Sequence, residues 1–504
     1  MGRITNLEAL TNHGNIEGRK ILADIMDYGL TAVDPYENTK ELVKREGKIL
    51  TFDGIDFEAK GDPKSGPAVY DLDSIDRVFV FGIGKGIQRI TKALEEILGD
   101  YLTDGHVVAK HGDEVIMEKL SVTLAGHPVP DKYCVIGCQK IYDIIKNANL
   151  TDNDLVITAI GNGVSSLLTL PWDEISLEDV TETTRLMQIE YGVGTGELND
   201  IRINVDKLKG GRIARLIHPA KMVHLFGVAP GNPGSKEDNP GISEYDNLIK
   251  NNHWLHTVSV DTSHTAALDV IAKYDTEKKM PKSIVDFLTN FDIAKSPVSW
   301  QEYENFDTRL FGVMPKNRSS LAAGMKRAKE LGYTPYYLGW IVVEANPAGI
   351  YMAQLATAAE AGLSPLKPPC AIFTTGELLV TCGDNPGVGG RNQEYVLSGA
   401  RRIAGSRRIV MAGSDTDGTD GPGGLFHPDA TAKGVKVLTG GLVDGYTIAE
   451  LKEKDIDIFE ALQTHATSAV LWEVGSGIAA IQNISIGDYS CTIVMDHDGE
   501  ISGE

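Results

Sequence analysis

From about Asp71 to Leu225 the chain repeats one short pattern: a run of apolar, β-prone residues, a glycine turn, then an amphipathic stretch of helical period. Few folds accommodate that pattern, because strand, helix and strand in succession pack back on one another as a parallel sheet covered by helices. Arg77–Phe81 reads as a buried strand, followed by a glycine loop and a helix through Thr91–Leu98. Gly105–Lys110 then reads as a strand, Ile136–Ala148 as a helix, Leu155–Ile160 as a strand and Thr181–Tyr191 as a helix. A second unit of the same kind follows. Ser319–Leu331 reads as a helix capped by its first serine and stopped by Gly332. After it come a strand near Tyr336–Leu338, a helix through Ala348–Ala361, strands at Ala371–Phe373 and Leu378–Cys382, a helix from about Asn392 and a strand at Arg408–Ala412. The economical architecture is α/β, with two Rossmann-like domains and a cleft between them. The expected boundaries are 1–265, a connection over 266–315, and 316–504. Ala229–Asn251, crowded with Pro, Gly, Asn and charge, reads as a boundary loop or a lid.

Composition removes several function classes. With 42% hydrophobic and 23% charged residues the chain is expected to fold as a soluble protein, and 48 Lys+Arg against 70 Asp+Glu give a net charge of −22. That charge opposes binding to nucleic-acid phosphates. Residues 1–20 mix charges into short apolar runs and carry no secretory h-region, and no window reaches the ~18 apolar residues that span a bilayer. Five cysteines, two of them spaced C-x3-C, read as reduced thiols in a cytoplasmic protein.

Five segments can carry chemistry. Gly82-Ile83-Gly84-Lys85-Gly86 lies where a buried strand passes into a helix, so backbone amides and the helix dipole favour an anion there and Lys85 adds a full charge. It is neither a Walker A loop nor a dinucleotide fingerprint, which would need Gly at Ile87; a tight turn with a solvated lysine is the alternative. Gly161-Asn162-Gly163-Val164-Ser165-Ser166 repeats that context with two hydroxyls, or else simply caps a helix. The two loops are expected to line adjacent points at the carboxyl edge of one sheet. Lys207–Arg212, shortly after Arg202, is a basic cluster suited to a carboxylate or phosphate, or a solvated loop. Gly387–Glu394 delivers Arg391, Asn392 and Gln393 to a helix start, where the arginine could grip a phosphoryl group. Finally, Ser414–Gly421 gathers Asp415, Asp417 and Asp420 in a turn that could hold Mg²⁺ or substrate hydroxyls, or be a ligand-free Asp-Gly turn.

Taken in order, Gly82-Ile83-Gly84-Lys85, Ala125–Asp131 (AGHPVPD), Ser165 with Leu167-Leu168, Asn199 with Arg202, Lys209-Gly210-Gly211-Arg212, Gly389–Glu394 (GGRNQE) and Asp417–Pro422 (DGTDGP) resemble the glycerate 2-kinase family, whose C-terminal half is the MOFRL domain. The resemblance implies transfer of the ATP γ-phosphoryl group to the 2-hydroxyl of D-glycerate or a closely related small hydroxy acid, with ATP and Mg²⁺. It puts catalysis on Lys85 and Arg391, and nucleotide or phosphate binding on Gly82, Gly84, Gly161, Gly163, Ser165 and Ser166. Substrate binding falls on Arg202, Lys209, Arg212 and Asn392, and metal binding on Asp417 and Asp420. The expected partner is a small anionic hydroxy acid, with no nucleic acid and no membrane, and the chain could pair as a homodimer. The chain departs from the family pattern at Asn162, Val164, Ile203-Asn204, Asp206, Ala229–Asn251 and Gly475–Asn483. An NAD(P)-dependent hydroxypyruvate reductase and a non-catalytic sugar-acid-binding homologue are the alternatives.

Overall fold

A computed structural model describes residues 2–230, 241–382, 387–421, 438–481, 483 and 487–496. The chain forms two compact units, Pro35–Asn317 and the discontinuous Met1–Asp34 with Arg318–Glu504.

In the first unit, a three-stranded antiparallel sheet joins β1 (Val43–Glu46), β2 (Ile49–Phe52) and β3 (Ala68–Asp71). The main sheet contains β4 (Val78–Ile83), β5 (Leu102–Lys110), β6 (Ser121–Ala125), β7 (Leu155–Ile160), β8 (Lys221–Phe226) and β9 (Thr308–Gly312), in the order β6-β5-β4-β7-β8-β9 and parallel throughout. Both faces of such a sheet are covered, which is why β4 and β7 are apolar and buried along their whole length. Helix Ile87–Leu98 and the small sheet close one face around Phe52, Val80 and Leu94. Helices Lys132–Ala148 and Arg212–Ile217 close the other around Phe81, Ile141 and Ile213. The strand order runs third, second, first, fourth, fifth, sixth, so the chain winds outward in opposite directions from β4 and β7. The gap above those two strands is the topological switch point, where open α/β sheets bind ligands.

The second unit is built differently. Its sheet contains β10 (Thr334–Ile341), β11 (Cys370–Gly376), β12 (Ile409–Asp415), β13 (Gly440–Asp444), β14 (Gly477–Ile478) and β15 (Asp488–Val494), in the order β10-β11-β15-β12-β13-β14. Only β10 and β11 pair in parallel, and β15 enters antiparallel between β11 and β12. The Rossmann-like expectation for this half is corrected to a mixed sheet. One face is covered by helix Ile16–Ala32, whose Leu22, Ile25, Met26 and Leu30 pack with Phe373, Val410, Leu442, Tyr489 and Ile493. Arg19 fixes that helix with a fully buried ion pair to Asp444.

The domain boundaries therefore differ from those expected. Residues up to Asp34 belong with the C-terminal sheet, and 266–315 is no mere connection, since it contains helices His264–Tyr274 and Lys282–Thr289 and the sixth strand, β9. Leu378–Cys382 is not a strand; it contributes one isolated bridge, Glu344 to Leu379. Within Ala229–Asn251, residues 231–240 lie outside the described set, while Glu244–Lys250 is a helix that buries Leu248 and Ile249. Its cap is Ser243, whose hydroxyl accepts the Asp246 N–H, a signal hidden among the surrounding turn formers. The Ser319 cap is present as expected, accepting from Ala322. No helix among the described residues is long and apolar enough to cross a membrane.

Candidate active site

The two glycine loops meet at the switch point. A Cβ on Gly84 would lie 2.5 Å from the Gly161 Cα, so only glycine lets these turns touch; the Lys85 N–H donates to the Asn162 carbonyl at 2.8 Å and ties them together. At Gly163, whose φ is +81°, a Cβ would be 3.0 Å from the Lys85 Cγ and 2.8 Å from the His127 ring. The Lys85 Cγ therefore lies against the second loop at Gly163, two residues before Ser165. The strand-to-helix turn is confirmed at both positions, and the adjacency expected of the two loops is what the sheet order produces.

Behind the loops is a buried polar group. Asn199, on helix Thr195–Asn204, donates through Nδ2 to the Ser165 Oγ at 3.0 Å and to the His253 carbonyl at 3.0 Å. The Ser165 Oγ also lies 3.1 Å from His256 Nε2. One helical turn beyond Asn199, the Arg202 guanidinium donates to the Gln188 Oε1 at 3.1 Å. Burial pulls the Arg202 pKa down to about 10, with no carboxylate to counter it. His256 is held neutral, its pKa well below the ordinary value because of burial and then the charges of Lys209, Arg202 and Arg212. A buried cation without a counter-ion is costly in isolation, and its natural complement is an anionic ligand.

Several expected site residues are occupied elsewhere. Gly82 is inside β4, where its missing side chain admits Thr91 from the covering helix, so it is a packing glycine rather than a phosphate contact. The Ser166 hydroxyl donates to the Gly126 carbonyl and is buried. Lys209 is in a buried ion pair with Asp206 at 2.8 Å and also donates to Thr169, which removes it from substrate binding. Arg212 donates to the carbonyls of Lys295, Ile203 and Lys209; its pKa falls to about 9 by burial, and its role is to pin the 203–212 turn to the 295 loop.

In the second unit, helix Arg391–Ile403 starts at the same end of the sheet as Gly376, Asp415 and Asp488. Arg391 donates through Nε to Asp488 at 2.8 Å and through Nη2 to Asp415 at 3.0 Å, with Glu377 3.5 Å from Nη1. Burial opposes its charge, but Asp415, Asp488 and Asp420 outweigh burial and raise its pKa. Asp420 accepts the Asn392 and Gln393 N–H groups at 3.1 and 2.9 Å, one on each oxygen, and so caps the helix from a distant turn. Its pKa is raised to about 6, first by burial and then by Asp488. Asn392 donates to Asp420 and Asp488, which takes its side chain away from a substrate.

As a metal ligand, Asp420 does not fit. Both oxygens of Asp420 are taken by the helix, and the Asp417 Oδ1 accepts from the Thr419 N–H and hydroxyl. Among the described residues no group of three His, Cys, Asp or Glu is arranged to hold a metal. Pro422 of the DGTDGP motif lies outside the described residues. In the Gly475–Asn483 segment, Gly477–Ile478 is β14, and Ala479 and Asn483 hydrogen-bond to residues 5 and 30, so this stretch anchors the N-terminal segment.

Residues 21–227 match the family model of a domain of unknown function, DUF4147, and residues 370–485 match the MOFRL family. A glycerate 2-kinase of Pyrococcus horikoshii is 29% identical over 459 residues, which cover 91% of this chain and 92% of that one. The chain belongs to the glycerate 2-kinase family. Also similar is a putative hydroxypyruvate reductase of Agrobacterium vitis, 30% identical over 365 residues, covering 71% of this chain and 88% of the relative. The crystal structure of glycerate kinase from Thermotoga maritima superposes with a TM-score of 0.65 at 24% identity, over 94% of this chain and 98% of that one, and shares its fold. Sequence reasoning missed His256, a lone histidine with no motif around it, and Asp488, whose place beside Arg391 depends on a strand pairing almost a hundred residues away.

Proposed function

We propose that the chain is an ATP-dependent kinase that phosphorylates the 2-hydroxyl of D-glycerate, giving 2-phosphoglycerate, or that of a closely related small hydroxy acid. The observation that carries this reading is the meeting of the two glycine loops at the switch point, with the Lys85 side chain lying against Gly163 of the second. Phosphoryl transfer needs little covalent work from a protein, so positioned positive charge supplies most of the stabilisation. ATP supplies the phosphoryl group. Lys85 is the residue that neutralises the oxygens of the group in transit, and Arg202 with Ser165 faces the acceptor acid. Arg391, engaged by Asp488, Asp415 and Glu377, is given no part in the transfer step. The reading needs no protein-built Mg²⁺ site; the cation enters on the nucleotide's phosphates. A cytoplasmic site of action suits both ATP and five cysteines that form no disulfide.

ATP consumption with a panel of small 2-hydroxy acids tests the reading, with D-glycerate expected to give turnover and 2-phosphoglycerate as product. Failure of every acid in the panel would overturn it; full activity in Lys85→Ala would overturn the role given to that residue. Nicotinamide oxidation with hydroxypyruvate would favour a reductase instead, although the place of a dinucleotide loop's third glycine is filled by the buried Ile87. Ligand-dependent thermal stabilisation without ATP consumption would mark a non-catalytic homologue.

A further inference from the structure

We propose that Asn199 and His256 are positioning residues that turn the Ser165 hydroxyl proton outward, so that Ser165 and Arg202 form a donor-only seat for the carboxylate of the acceptor acid. This rests on the kinase reading above and assigns which part of the substrate sits here.

The argument is one of hydrogen-bond capacity. A serine oxygen accepts two hydrogen bonds and donates one. The Asn199 amide orientation is settled by its second contact, because a flipped amide would set Oδ1 against the His253 carbonyl. Asn199 therefore donates to Ser165. For His256, Nε2 faces Ser165 while Nδ1 is buried with no partner. Burial of an orphan N–H is rarer than burial of an orphan acceptor, so the neutral ring carries its proton on Nε2 and leaves a lone pair at Nδ1. Both acceptor sites on Ser165 are then filled from behind. Its own proton is left pointing away from Asn199 and His256, on the one part of this group with measurable exposure, where Ser165 keeps 9% of its surface while Asn199 and His256 have none.

What that proton meets must be an acceptor. Arg202, one turn from Asn199 on the same helix, adds a guanidinium that donates to the neutral Gln188 and has no acidic partner among the described residues. A planar monoanion matches a single guanidinium in charge and in shape. The carboxylate of a small hydroxy acid meets both requirements, whereas the more highly charged phosphates suit the Lys85 side of the loops.

A double-mutant cycle on the full-length enzyme, with D-glycerate and ATP titrated separately and each variant's fold checked by its melting curve, separates this from a structural role. His256→Leu should raise KM for D-glycerate by about 10- to 100-fold, the scale of a lost hydrogen bond to a charged group, with KM for ATP unchanged. In a Ser165→Ala background the same substitution should change KM by less than about 2-fold, since the residue acts through the serine. His256→Gln, which keeps a donor, should recover most of the loss. If His256→Leu does not fold, Asn199→Asp is the second arm: its carboxylate takes the Ser165 proton inward and should weaken D-glycerate as much as Ser165→Ala does. Equal losses in both backgrounds, a shift in KM for ATP instead, or normal D-glycerate binding by Asn199→Asp would overturn the assignment. Absence of turnover in the wild type would instead count against the kinase reading.

Discussion

Both units gather charge at the end of a sheet, and they do so with opposite sign. Above β4 and β7 the groups are donors: Lys85, the Ser165 hydroxyl and Arg202, which has no carboxylate partner among the described residues. At the end of β11, β15 and β12, one arginine is surrounded by Asp415, Asp488 and Glu377, with Asp420 close behind. Burial of the Arg202 charge is unfavourable until an anion arrives, whereas the Arg391 charge is already neutralised from within. Both units carry a glycine-flanked cation in sequence, and the surrounding carboxylates separate them.

The largest expected effect tests the donor-rich end. Lys85→Ala should lower kcat/KM for D-glycerate by roughly a thousandfold while leaving the melting temperature within a few degrees. An effect below tenfold would remove Lys85 from the reaction. At the acid-rich end the order is reversed. Arg391→Ala leaves Asp415 and Asp488 facing each other without a cation, and should destabilise the fold by about 2–4 kcal/mol, read by urea unfolding; the partial exposure of Arg391 holds the figure toward the lower end. An unchanged unfolding midpoint would show that the arginine is not the keystone of that cluster.

Asp420 supplies a pH test of the same contrast. Its folded pKa of about 6 lies above the ordinary aspartate value, so between about pH 4 and 6 the folded state binds more protons than the unfolded one. Its contribution to stability is therefore greatest below pH 4 and declines as pH rises to 6, by roughly 2–3 kcal/mol. Asp154 in the first unit behaves oppositely: burial raises its pKa, but Arg77 and the Thr151 N–H outweigh burial and lower it, so its contribution is present above pH 4 and lost on acidification. NMR titration of the two carboxyls should show them moving apart; coincident midpoints would break the comparison. The smallest effect is on stability at Arg202. Arg202→Met should change unfolding free energy by less than about 1 kcal/mol, because the charge removed has no counter-ion among the described residues, while D-glycerate binding is lost. A large loss of stability would mean that the Arg202 contact to Gln188 is a structural tie and that the guanidinium is not held ready for a ligand.

The parallel half of the fold was legible because β4 and β7 are apolar runs that pass at once into glycine turns, and β7 was placed to the residue at Leu155–Ile160. The meeting of the two loops followed from that reading. What was hidden was set by distant pairings. Lys209 and Arg212 look like a basic ligand site until Asp206 and three backbone carbonyls are seen to absorb them. Asp420 looks like a metal ligand until the helix at Arg391 is found to begin against it. The mixed character of the second sheet was equally hidden, since β15 takes its place between β11 and β12 by a contact that no local periodicity announces.

That placement of β15 has a consequence for how the chain is made. The last described strand is internal to the second sheet, and residues up to Asp34 lie with that sheet, so helix Ile16–Ala32 waits for a strand synthesised long after it. Residues 35–317 have all their own strands available beforehand and are free to fold while synthesis continues. Until the final strand is released, helix Ile16–Ala32 has an apolar face with nowhere to go. In a nascent chain stalled short of Asp488, that helix is the surface a chaperone would find.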